Sequence, residues 1–253
     1  MKAFITILVL VIPNLLFGQA RGVKLFQSLD NVYTTSELTA IQGKIRLEEK
    51  YTEYLNLGIE KKVWLIYKGN RKVANKTRLL TLSHRNQIFY QEFFNSKNST
   101  KIHTRVENNI LFKLNKIVLK ELGSNIDFEH LTRGDEKNTF GYRCYVSASM
   151  PYDGEKMLKL VNEENQIELI NWLKSIDPVK QVYAYLGFKL LQSRNKNTLP
   201  SDIENILTLL EMSETSIFTC HGCTTWEYLQ IKEILKKESV DQFIKINKIF
   251  RSL

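Results

Sequence analysis

Leu79-Leu80-Thr81-Leu82-Ser83-His84-Arg85-Asn86-Gln87-Ile88-Phe89-Tyr90-Gln91-Glu92-Phe93-Phe94, residues 79–94, is the stretch on which the fold class turns. Its apolar positions follow neither a clean 3.6-residue period nor a clean alternation. Read as a helix, it makes the chain mainly α. Its neighbours are read the same way. Ile45 to Leu57 is expected as a helix ending at Gly58. Ile102 to Leu122 is expected as a longer helix, with Ile110, Leu111, Leu114, Ile117, Val118 and Leu122 on one face. Gly123 then supplies the left-handed stop that closes many helices. Val63 to Tyr67 is a strand or a buried helical turn, and its length does not decide between them. Phe140 to Ser149 alternates Tyr142, Cys144 and Val146 against Arg143, Tyr145 and Ser147, the pattern of a strand. Residues 21–150 are therefore expected as mixed α with one or two possible strands.

Farther along, Pro151-Tyr152-Asp153-Gly154 carries turn chemistry, and residues 151–161 are expected as a turn or linker. Residues 162–253 then read as a helical array or bundle. Asn162 is expected to cap a helix running to Ile176. Asp177-Pro178 combines a capping carboxylate with proline at the first helical position, where the missing N–H costs nothing. Ser201/Glu204, Thr224/Glu227 and Ser239/Gln242 each carry the spacing of a capping box. The run from Asp177 through Ala184 to Leu186-Gly187, within residues 177–192, resembles a single HEAT-type helical repeat. That resemblance implies an α-solenoid fragment that binds along a surface.

The N-terminus is expected to be removed. Lys2 is followed by an apolar run from Ala3 to Leu16, and Gly18-Gln19-Ala20 offers small residues at the cleavage positions. This is the pattern of a secretory signal over residues 1–20. The apolar run is shorter than the roughly 20 residues of a membrane-spanning helix. An exported chain, periplasmic or extracellular, with no transmembrane segment in its mature part is the expectation.

Loss of the leader lowers the formal charge from +9 to +8 by removing one lysine. The basic residues are spread among acidic ones, and no nucleic-acid-binding motif accompanies them. Nucleic acid is therefore not an expected partner.

Cys220-His221-Gly222-Cys223 is the sharpest local feature. Haem attachment needs histidine after the second cysteine, where Thr224 stands. A structural zinc needs four ligands, and no second close-spaced pair exists. A disulfide between Cys220 and Cys223 is the leading reading, with Cys144 left as a buried thiol. Pairing of Cys144 with either of the two, or a thiol-active role for Cys220 and Cys223, remains open.

Asp127, Glu129 and His130 are the candidate carboxylate–histidine group, in a loop reaching Asp135 and Glu136. His103 and Glu107 are expected to share an exposed helix face. Trp64, Trp172 and Trp226 are expected in the core. No nucleophile elbow, zinc-protease helix or phosphate-cradling loop is present, and no cofactor is expected. The function expected is non-catalytic: a binding or structural protein that holds a protein or envelope partner on a helical surface. Its alternatives are a hydrolase-type or metal-dependent enzyme with a site near Asp127–Glu136, and a thiol-active protein.

Overall fold

The computed structural model describes residues 29, 31–41, 46–67, 77–95, 100–132, 137–144, 146–195, 199–222 and 224–249. The expected signal over residues 1–20 lies outside them. The chain divides into two compact units, one from Met1–Lys50 and Lys62–Asn108, the other from Tyr51–Lys61 and Asn109–Leu253.

The mainly helical expectation is overturned by a five-stranded antiparallel sheet in the N-terminal half. Its order is β1 (Arg46–Leu55), β2 (Ile59–Tyr67), β3 (Thr77–His84), β4 (Gln87–Asn95) and β5 (Lys101–Val106). Residues 79–94 are the β3–β4 hairpin, not a helix, with Leu79 opposite Phe93 and Thr81 opposite Gln91. Both strands are buried on both faces for most of their length, so the apolar run is nearly continuous and alternation is lost. Arg85 and Asn86 turn the chain with φ of 49° and 69°, the left-handed pair that a two-residue hairpin requires. Leu29, Leu38, Trp64, Ile66, Ile88 and Phe93 build the core of this unit. The helix α1 (Thr35–Ile41) leads into the sheet.

Of residues 45–57, expected as a helix, 46–55 are the strand β1. Leu47, Tyr51, Glu53 and Leu55 are buried, on the alternation of a strand. Val63 to Tyr67 belongs to β2. The helix expected over 102–122 is shortened by β5, and α2 begins at Asn108 and ends at Leu122. Gly123 follows with φ of 69°, the expected left-handed stop.

The C-terminal part is built around α6 (Pro178–Asn195), which is buried on nearly every side. Val182, Tyr183, Ala184, Leu186, Phe188 and Leu190 are each almost wholly enclosed, as a helix at the centre of a core must be. The helices α4 (Tyr152–Asn162), α5 (Gln166–Leu173), α7 (Ser201–Glu211) and α9 (Lys237–Ile249) pack around it. The turn expected over 151–161 is α4, entered directly after Pro151. Asn165, not Asn162, caps α5 by accepting the Glu168 N–H at 3.1 Å. Asp177 caps α6 by accepting the Val179 N–H at 2.9 Å, as its sequence predicts.

The HEAT-type resemblance is not supported. α6 is a central helix, not one of a stacked pair, and the expected array is interrupted by the hairpin β6 (Ser216–His221) and β7 (Thr225–Gln230). Thr224 and Glu227 therefore do not start a helix; Glu227 faces Thr219 across that hairpin. Nor does Ser201 close a capping box, because the Glu204 N–H goes to the Pro200 carbonyl at 3.1 Å. A short α8 (Ile231–Ile234) joins β7 to α9.

Candidate functional site

The segment expected as a strand over 140–149 runs beside β6 through isolated bridges. The Phe140 N–H donates to the Phe218 carbonyl at 2.9 Å, and the Cys220 N–H returns to the Phe140 carbonyl at 2.9 Å. Farther on, the Gly222 N–H donates to the Arg143 carbonyl at 2.8 Å. This pairing brings Cys144 to Cys220, with Cα atoms 5.6 Å apart, and the two form a disulfide. Cys220 is thus bridged across 76 residues of sequence, in place of the expected short loop to Cys223. Cys223 lies outside the described residues. Both bridged cysteines are fully buried, and with its sulfur bonded to Cys144, Cys220 presents no thiolate.

A cleft of about 310 Å³ opens beside the Cys220 end of this bridge. Tyr142, Phe243 and Ile246 form its apolar walls, and Arg143, His221, Ser239 and Gln242 supply polar groups. Tyr142 stacks on Phe243 with ring centres 4.9 Å apart. Burial pushes the Tyr142 phenol well above the ordinary tyrosine value. Its hydroxyl is buried and finds no hydrogen-bond partner among the described residues. Arg143 and His221 are exposed. Among the described residues, no carboxylate lines the cleft.

A second constellation lies within the same unit, around α3 (Phe128–Thr132). Asp127 accepts the His130 N–H at 3.0 Å and pairs with Lys180 at 2.9 Å. Burial raises the Asp127 carboxyl, but the His130 N–H and Lys180 outweigh it and leave it below the usual value. Glu129 is exposed. His130 alone turns inward, with Nε2 2.5 Å from Asp177 Oδ2 and 3.8 Å from Asp153 Oδ2. The three residues Asp127, Glu129 and His130 therefore do not converge on one point, and residues 133–136 of the same loop lie outside the described residues.

Sequence reasoning missed the partners that His130 does meet. Asn138 donates to Asp177 Oδ2 at 2.7 Å, and its backbone N–H donates to the Glu53 carboxylate. Glu53 pairs with Lys61 at 3.1 Å, and both are buried. Burial is the main reason the Glu53 carboxyl is raised; the Asp177 charge adds to it, and Lys61 and the Asn138 N–H only partly offset it. Burial would raise Asp177 too, but the hydrogen bond and charge of His130, the Val179 N–H and Lys61 hold it below the usual carboxylate value. His130, Asp153 and Asp177 bring one ring nitrogen and two carboxylate oxygens within 4.8 Å of one another, a set able to hold a metal ion. A void of about 20 Å³ borders Asp177 alone of the three, with Glu53 and Asn138 also on its wall. These groups come from residues 53 to 177, so no local motif could signal them. The one local sign was Asp177 itself, legible as a helix cap.

Other expectations fare unevenly. Trp64 and Trp172 are core residues, whereas Trp226 stands on β7 and is 38% exposed. His103 lies in β5, 6.0 Å from the Phe93 ring, so it shares no helix face with Glu107. No protein-family model, no curated protein and no solved structure matches this chain.

Proposed function

We propose that this chain is an exported, non-catalytic binding protein, and that its ligand is a small organic anion with an apolar body. The observation that carries the reading is the cleft beside Cys220. Its volume of about 310 Å³ is that of a small-ligand pocket. Arg143 and His221 line it, and no carboxylate does so among the described residues. The Tyr142 ring lines the cleft, and its buried hydroxyl has no hydrogen-bond partner among the described residues. Tyr142, Phe243 and Ile246 suit the apolar part of such a molecule. The helical surface expected for binding narrows to the face of α9 that carries Ser239, Gln242, Phe243 and Ile246. A small anion takes the place of the broader protein or envelope partner.

The Cys144–Cys220 disulfide supports residence in an oxidising compartment. Among the described residues, no helix is long and apolar enough to cross a membrane.

Isothermal titration with phenylacetate and hexanoate, and with their uncharged amides, tests the reading. Each acid that binds should do so once per chain, and its amide should bind at least tenfold more weakly. Arg143→Ala should weaken the acid by about tenfold or more, since a charged hydrogen bond contributes about 1.5–3 kcal/mol. Equal affinity for acid and amide, no binding of either acid, or an unchanged affinity in Arg143→Ala would each overturn it.

A further inference from the structure

We infer that His130, Asp153 and Asp177 form a binding site for a zinc-type divalent cation. The site is separate from the cleft beside Cys220 and does not depend on a ligand there. Its three donors come from three segments whose ends meet. His130 follows the Asp127 cap of α3, Asp153 is the second residue of α4, and Asp177 is the cap of α6. Each is at least nine-tenths buried. Nε2 of His130 lies 2.5 Å from Asp177 Oδ2 and 3.8 Å from Asp153 Oδ2. Ligand atoms around tetrahedral zinc, at bonds of about 2.0–2.2 Å, sit roughly 3.3–3.6 Å apart. Binding would open the shorter contact by roughly 0.8–1.1 Å and close the longer one by roughly 0.2–0.5 Å.

The donor chemistry selects the ion. One imidazole with two carboxylates suits zinc, whereas calcium and magnesium take all-oxygen shells. The carboxylate is already aimed. The Val179 N–H holds Asp177 Oδ1 at 2.9 Å, and Asn138 donates to Oδ2 at 2.7 Å, which leaves Oδ2 turned toward the histidine. Outer hydrogen bonds of this kind fix a ligand's orientation and raise metal affinity. Three protein ligands leave the fourth position of a tetrahedral zinc shell to water.

The mature chain, stripped with EDTA, would be titrated with zinc chloride and, in parallel, with calcium and magnesium chloride. One zinc per chain should bind, remain through gel filtration and raise the unfolding temperature, while calcium and magnesium do neither. Asp153→Asn and His130→Gln should each weaken zinc at least tenfold with the far-ultraviolet circular dichroism unchanged. Failure to retain zinc, or equal affinity in both variants, overturns the site and points to surface histidines instead. X-ray absorption on the zinc-loaded wild type needs no variant. One imidazole among oxygen ligands supports the assignment; two or more imidazoles overturn it.

Discussion

A side chain at Gly141 would collide with the Sγ atoms of Cys144 and Cys220 and with the Cys220 carbonyl. Glycine at that position is therefore required by the disulfide, and the bridge is part of the core. Closing 76 residues of chain removes unfolded-state entropy worth roughly 4 kcal/mol. Cys144→Ala should accordingly lose about 2–5 kcal/mol of stability in urea denaturation without reductant. Reductant should weaken the wild type by a similar amount and leave the variant where it was. A peptide map showing Cys220 joined to Cys223, or a variant as stable as the wild type, would refute the bridge. The sequence shows that Cys220 is a bonding candidate but not its partner, because two cysteines 76 residues apart are joined only by the fold. Asp177 was legible for the opposite reason: a carboxylate before Pro178 acts on the two residues that follow it.

The β3–β4 hairpin shows why strands were harder to read than helices. Its turn carries arginine and asparagine where glycine would have announced it. Asn86 compensates with its side chain, which accepts the Ser36 N–H at 3.2 Å and the Ser36 hydroxyl at 3.1 Å. Asn86→Ala removes those acceptors and keeps φ at 69°, where alanine is strained. It should cost about 1–3 kcal/mol, read as a lower urea midpoint with an unchanged slope. A loss below about 0.5 kcal/mol would mean that the turn is not holding α1. In β1 and β2 the alternation was present but disguised. Glu53 and Lys61 occupy inward positions between Tyr51, Leu55, Ile59 and Val63, and a polar residue there breaks the apolar pattern. Each is acceptable inside because the other sits 3.1 Å away. Helix α6 was legible since its start signal, Asp177 before Pro178, is local; α7 begins at Ser201 as read, although no capping box closes it.

At the scale of the whole molecule, the groups that make the two sites are distant in sequence and meet only after folding. Buried charge then couples folding to pH. Glu53 is the clearest case, with its carboxyl raised above the ordinary 4.5, first by burial and then by the Asp177 charge. Between 4.5 and that raised value the folded chain holds a proton that the unfolded chain has released. Stability should therefore increase as pH falls from neutral through the folded Glu53 pKa, level off near 4.5, and decline as pH rises again. Glu37 works in the opposite direction. Its carboxylate accepts the Tyr33 N–H at 2.8 Å and the Thr34 N–H at 3.0 Å, which hold it below the usual value. That contribution is present above 4.5 and is lost as pH falls through the folded Glu37 value. The maximum should lie at mildly acidic pH. Urea denaturation from pH 4 to 8, with EDTA present, would locate it. Glu53→Gln cannot titrate and stands in for the protonated carboxyl, so it should flatten the limb above 4.5. If the wild-type and Glu53→Gln curves run parallel across that range, Glu53 is not the group that couples folding to protons.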